Sequence, residues 1–206
     1  MLTVGIDAER VERDLGWGRL VCPGCGAVLA RWGYARSRRV REGDGWWPLR
    51  PRRTVCTGCG ATHVLLPSSC LLRHADGVAT IGAAVTANAE GWGHRRIACR
   101  LGRPASTVRG WLRAFAARAE QIRAVFTVLL GELDPLAEPV PPAGSALADA
   151  VEAIGAVTAA VRRRLGQTVC GWSPWQAAAA VSAGRLLTSG WPVPVANTSW
   201  LWAAVP

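Results

Sequence analysis

Two cysteine pairs of one form, Cys22-Pro-Gly-Cys25-Gly and Cys56-Thr-Gly-Cys59-Gly, restrict what this chain can fold into more than any other feature. Each C-x-x-C turn can place two thiolates on one ion, and the glycines permit the conformation that turns backbone N–H groups toward sulfur. Together they predict one structural zinc site with Cys22, Cys25, Cys56 and Cys59 as ligands. Thirty residues separate the pairs, against about 15–20 in the simplest pattern, so a longer β-hairpin is expected between them. Leu29 to Val40 and Trp46 to Val55 read as its strands, and Glu42-Gly43-Asp44-Gly45 as its turn. The expectation is a zinc ribbon over residues 20–68.

Other uses of these cysteines fit less well. A redox pair belongs on a βαβ framework, and no such pattern is visible. Disulfides suit an exported chain, whereas the N-terminal IDAERVERDLG alternates charges and lacks the apolar core of a secretory signal. Free buried cysteines are the remaining alternative. His63, four residues past Cys59, is a candidate substitute ligand. Cys70, Cys99 and Cys170 have no partner at ligand spacing and read as small core residues.

The intervening hairpin is basic, with Arg36, Arg38, Arg39 and Arg41 on one arm and Arg50, Arg52 and Arg53 on the other. Four thiolates on one zinc carry a formal charge of about −2, which these arginines partly balance. Trp32, Tyr34, Trp46 and Trp47 are interleaved with them. Such rings can stack on bases, but a small ribbon buries little surface, so they are expected to serve as its core.

A second pattern lies at His94 to Phe115, which reads as two short helices around a tight turn. Ile97, Ala98 and Leu101 share a face of the first helix. Gly102 can end that helix in the left-handed conformation, and Pro104 can open the next. In the second helix Val108, Trp111, Leu112 and Phe115 make one buried stripe, leaving Ser106, Thr107, Arg109, Gly110 and Arg113 outward. Small hydroxyls followed by arginines suit base edges and phosphates. Arg95 and Arg96, at the start of the first helix, are placed for phosphates, and Arg103 in the turn is assigned to the same DNA-binding set. The competing reading is an ordinary helical hairpin in a core. Asp76 to Ala89 supplies a supporting helix, and the last helix is expected to continue past Phe115 through Ile122 and Phe126 toward Leu130. This gives a three-helix helix-turn-helix domain over residues 74–130.

Around these two units the chain reads as helical. Residues 1–19 hold a short helix from Ile6 to Gly16, capped by Asp7 and stapled by Ile6 on Val11. Residues 131–144 contain four prolines and read as a linker. Residues 145–206 read as a C-terminal helical segment. There Ser145 caps a helix carrying Leu147, Val151, Ile154, Val161 and Leu165, and Ser173-Pro174-Trp175-Gln176 is a capping box for an alanine-rich helix to about Leu187. The last residues, with Trp191, Trp200 and Trp202, have no usable periodicity. The expected class is mostly α with a small β zinc ribbon.

Charge separates the two halves. Every one of the 24 basic residues is arginine; residues 1–130 hold 20 of them against nine acids, and residues 131–206 hold four against five. The basic field therefore lies on the half with the candidate recognition helix, as a DNA contact requires. The near-neutral C-terminal segment is expected to form a partner surface, either in a homodimer or toward a transposase or other protein. The charge-free run from Leu165 to Gly184 contains Gln167, Pro174 and Gln176 and would span a membrane poorly, so no membrane association and a cytoplasmic location are expected.

The ribbon exit Cys56-x-x-Cys59-Gly-x-x-His63-x-x-Leu66-Pro67 and the run I-A-x-x-L-G-x-x-x-S-T-V-x-x-W-L at residues 97–112 carry a resemblance. Residues 20–126 resemble the front ends of insertion-element transposases and their small accessory proteins, and an uncharacterised bacterial family of the same two-part layout. The resemblance implies binding of double-stranded DNA with zinc as a structural cofactor, in a regulator or in a targeting or accessory protein of a mobile element. It does not carry catalysis over. Glu120, Glu132, Asp134, Glu138, Asp149 and Glu152 fall on expected helices or in the linker, without the strands that a two-metal nuclease site needs. A non-enzyme is expected. The alternative is an interaction module whose ribbon binds a protein partner or RNA.

Overall fold

The computed structural model describes residues 1–166 and 171–191. Among them are seven helices and six strands, so the fold is mixed α/β with small sheets. Residues Gln167, Cys170, Trp200 and Trp202 lie outside the described residues.

The N-terminal helix α1 (Ala8–Gly16) forms as its caps dictate: the Asp7 carboxylate accepts from the N–H groups of Glu9 and Arg10 at 2.9 and 3.2 Å. Val11 and Leu15 are buried, but Ile6 stays exposed, so the expected staple does not close. A short strand β1 (Leu2–Val4) precedes the helix and was not foreseen. Three residues give too little alternation to be recognised, and their partner lies some sixty residues away.

The ribbon strands are β2 (Leu29–Tyr34), β3 (Arg38–Glu42), β4 (Gly45–Leu49), β5 (Arg52–Cys56) and β6 (Thr62–Pro67). One sheet runs β1-β6-β5-β2, with β1 parallel to β6 and the other pairs antiparallel. The single long hairpin expected between the knuckles is split in two. β2 pairs with β5 through a register shift between Arg31 and Tyr34, where Gly33 takes φ +91°. β3 and β4 form a separate hairpin, from Arg38 opposite Leu49 to Glu42 opposite Gly45. Pro51, which has no N–H for a ladder, stands at the junction. Burial explains the split: Val40, Leu49, Leu66 and Cys70 make a small core of their own with Trp47 against it. Val4, Val11, Leu15, Leu20, Leu29 and Leu65 make another beneath α1, together with Cys22 and Cys56.

The helices are α2 (Val78–Ala89), α3 (His94–Leu101), α4 (Ala105–Ala116), α5 (Ala119–Leu133), α6 (Ala146–Leu165) and α7 (Pro174–Val181). α1 and α2 each begin two residues later than expected, and α4 and α7 end sooner. α4 does not run on to Leu130; it ends at Ala116, and Arg118 leaves helical geometry at φ −130°, ψ 8°. Its guanidinium donates to Ala114 O at 2.6 Å, satisfying a carbonyl in the last turn of α4. α5 then starts on a new axis and turns Ile122, Phe126, Leu129 and Leu130 inward.

Those residues meet α6, whose Ala150, Ala153, Ile154 and Val157 are fully buried or nearly so. Buried alanines let the two helices approach closely. One continuous core runs from α2 to α7, so α6 and α7, expected to belong to a separate C-terminal segment, share the core of α2–α5. The proline-rich stretch connects α5 to α6 and is pinned there: Ala143 N–H donates to Asp149, and Arg163 pairs with Asp134 at 2.9 Å. Both C-terminal caps form as read, Ser145 on the N–H of Ala148, and Ser173 with Gln176 as a reciprocal capping box. α7 stops at Val181, short of Leu187. Trp175 on α7 lies across Gly82 of α2, where an added Cβ would sit 2.1 Å from the indole Cγ. Its ring also meets Phe115 edge-on at 6.0 Å.

Candidate metal centre and basic surface

The two knuckles have the same backbone pattern. Cys22 N–H donates to Ala27 O and Gly26 N–H to Cys22 O; Cys56 N–H donates to Ala61 O and Gly60 N–H to Cys56 O, all at 2.8–3.1 Å. The closing glycines, Gly26 and Gly60, have φ of +74° and +71°, which a side chain resists. Gly58 is needed for another reason. A Cβ there would meet the Ala27 Cβ at 2.8 Å, where the knuckles face one another.

This brings the Sγ atoms of Cys22, Cys25, Cys56 and Cys59 within 4.8 Å of one another, with Cys22 and Cys56 buried and the other two exposed. The Cys22–Cys59 and Cys25–Cys56 pairs are at 3.8 and 3.3 Å. Tetrahedral zinc with Zn–S near 2.3 Å has sulfurs about 3.8 Å apart, so the cluster is compatible with a zinc site. The backbone also prepares it. The N–H groups of Cys59 and Gly58 point at Cys56 Sγ, both at 3.4 Å, and they draw its thiol down to about 6. At Cys25 the Ala27 N–H pulls the same way, but hydrogen bonds to Cys56 and Cys59 prevail and push the thiol up to about 11. Four sulfurs this close share protons unless a cation neutralises them. His63 sits beside the set rather than in it, buried, with Nε2 3.4 Å from Cys22 Sγ. Burial lowers its pKa, and the neutral ring can donate Nε2–H to the sulfur.

A polar clamp, unseen from the sequence, joins the β3–β4 hairpin to the helices. The N-cap of α2 is Gly77, which has no side chain to offer. Glu42 takes that place: its carboxylate accepts from Thr80 N–H at 3.0 Å and from the Thr80 hydroxyl at 2.8 Å. A Cβ on Gly77 would lie 1.6 Å from Glu42 Oε2, so this docking requires glycine. Beside it the carboxylate of Asp76, 3% exposed, is held by Arg41 at 2.7 Å and by Arg103 at 2.6 Å. Arg103 also donates to Gly43 O, Leu101 O and Gly102 O at 3.0–3.3 Å. Arg103, grouped with the DNA contacts on sequence grounds, is thus a buried cross-brace with its donors engaged internally. A sequence marks an arginine as cationic; only the folded neighbours decide whether the charge faces solvent.

The other assigned residues lie where helical periodicity puts them. Gly102 ends α3 in the left-handed conformation, at φ 59°. Val108, Trp111, Leu112 and Phe115 are buried. Ser106, Arg109, Gly110 and Arg113 are exposed and Thr107 is half-buried. Arg95 and Arg96 are exposed on α3, Arg96 lying 3.7 Å over the Trp92 ring with Arg100 on the same ring at 5.1 Å. Among the described residues the side chains of Arg95, Arg109 and Arg113 form no ion pair or hydrogen bond. Cys99, expected in the core, is exposed on α3; Cys70 is buried as expected.

The ribbon aromatics divide. Trp47 packs on the small core, but Trp32, Tyr34 and Trp46 are 47–57% exposed. Arginines cover two of the three instead: Arg39 lies 4.2 Å over Trp46, and Arg50 and Arg52 lie 4.6 and 4.4 Å over Tyr34. Among the described residues no helix is long and apolar enough to cross a membrane. No family model, curated protein or solved structure matches this chain.

Proposed function

We propose that this chain is a non-catalytic, sequence-specific binder of double-stranded DNA, with α3 and α4 as a helix-turn-helix and α4 as its recognition helix. The observation that carries the proposal is the division of α4. Its apolar stripe faces the core, while the side chains of Ser106, Arg109 and Arg113 stand in solvent without partners, and Arg95 and Arg96 are exposed on the preceding helix α3. Arg109 and Arg113 are assigned to base edges, and Arg95 and Arg96 to phosphates. Gly110 lies between the two base-reading arginines, with open space around it that lets the duplex approach closely. Cys22, Cys25, Cys56 and Cys59 hold one zinc, whose role is to fold the ribbon. The role that fits is a regulator, or a targeting or accessory protein of a mobile element.

The exposed Trp32, Tyr34 and Trp46 favour a second reading, an interaction module that binds a protein partner or RNA through the ribbon. Selection of bound sequences from random duplex DNA, followed by salt titration of variants, separates the two. Arg109→Ala or Arg113→Ala should cost about 1–3 kcal/mol and relax preference at one position. Arg95→Ala should weaken all sequences alike and lower the salt slope by about one. If all three folded variants bind like the wild type, the interaction-module reading replaces this one.

A further inference from the structure

The tip of the β3–β4 hairpin is fixed beside the turn that leads into α4. Arg103, in that turn, donates to Gly43 O at the tip, and Glu42 and Arg41 bind Thr80 and Asp76 at the start of α2. Backbone bonds tighten the junction, from Arg41 N–H to Ala75 O and from Gly77 N–H to Arg41 O, both at 2.8 Å. The hairpin therefore moves as one piece with the helices that carry Arg109 and Arg113.

Its two faces differ. Val40 and Leu49 point into the small core, with Trp47 against it. Cross-strand partners share a face, and the pairs Arg39 with Pro48 and Arg41 with Trp46 put these four on the opposite, open side. There Trp46 is 54% exposed, and the Arg39 guanidinium carbon lies over its ring, 4.2 Å from the centroid. An arginine stacked on an indole loses rotamer freedom but keeps the edges of its N–H fork free, which suits a phosphate. Among the described residues no carboxylate pairs with it. Glu42 is engaged by Thr80 and Asp76 by two other arginines, while Asp44, exposed at the tip, forms no ion pair with Arg39.

We infer that this hairpin is a second DNA-contacting element: Arg39, positioned by Trp46, donates to backbone phosphates of the duplex that α4 reads. The inference rests on α4 being the recognition helix. A phosphate is favoured over an unpaired base because Arg39 already covers one face of the Trp46 ring, and a base stacking there would have to displace it.

The test uses the full-length, zinc-loaded chain and a duplex selected from the random pool, with anisotropy titrations over a salt series and hydroxyl-radical footprints. Arg39→Ala should weaken binding to every sequence alike, by up to about tenfold, and lower the salt slope by about one. Sequence preference should be unchanged, and protection should be lost on one flank of the footprint only. Trp46→Ala should weaken binding less and leave the slope intact, since the charge remains. Both side chains are exposed, and zinc content with circular dichroism verifies each fold. If Arg39→Ala leaves slope and footprint unaltered while Arg109→Ala still changes preference, the hairpin proposal is overturned and the recognition helix stands. If Arg109→Ala is also silent, the underlying reading falls with it. Loss of single-strand binding in Trp46→Ala with duplex binding untouched would make the hairpin a base-stacking site and overturn the phosphate assignment.

Discussion

Replacing Arg103 by alanine separates what its sequence position suggests from what its surroundings require. In the folded chain its guanidinium pairs at 2.6 Å with a carboxylate that is 3% exposed, and it binds three backbone carbonyls. Removing one partner of a buried ion pair costs about 3–5 kcal/mol, because the charge left behind is uncompensated. Arg41 still holds the other oxygen of Asp76 at 2.7 Å, which places the loss at the lower end, about 3 kcal/mol. With a urea dependence of about 2 kcal/mol per molar, the unfolding midpoint should fall by roughly 1.5 M. Thr80 N–H, bonded to Glu42 across the same junction, should exchange up to roughly a hundredfold faster as the hairpin undocks. Arg103→Lys should resemble Arg103→Ala, since a point charge cannot reproduce the fork that bridges Asp76 and Gly43. Adding Asp76→Asn should recover part of the loss, because a neutral amide does not need two guanidinium groups. Urea titration and hydrogen exchange read these outcomes directly. An arginine on a phosphate would behave in the opposite way, leaving the midpoint alone and lowering the salt slope of DNA binding by about one. Arg103→Ala with an unchanged midpoint would refute the cross-brace.

Elemental analysis should find about one zinc per chain, and Cys22→Ser or Cys56→Ser should unfold the ribbon, since metal binding to such a site is folding energy. Acidification should release the ion, because protons compete for the thiolates; a zinc-free preparation with unchanged stability would exclude the site. A chain ending at Leu130 should not persist as a folded fragment. Removing α6 uncovers Ile122, Phe126 and Leu129, at about 1.5–3 kcal/mol for each buried side chain, and a soluble, cooperatively folding fragment would contradict the shared core.

What could be read in advance was local. The knuckles at Cys22–Gly26 and Cys56–Gly60, the apolar stripe of α4, the left-handed Gly102 and the caps at Asp7, Ser145 and Ser173 all depend on residues within about a turn of each other. Their spacing in sequence is nearly their spacing in space. The rest depended on closures across the chain. β1 finds its parallel partner in β6, Glu42 caps a helix that begins at Val78, and α6 joins the core of α2–α5. None of these has a periodicity to announce it. The charged surface was divided on the same principle. The free charge of Arg109 and Arg113 follows from helical geometry alone, whereas the engagement of Arg103 and the exposure of Trp46 follow from where a distant hairpin docks. Local stereochemistry chooses the elements, but charge and apolar area are assigned to solvent or interior only when those elements meet.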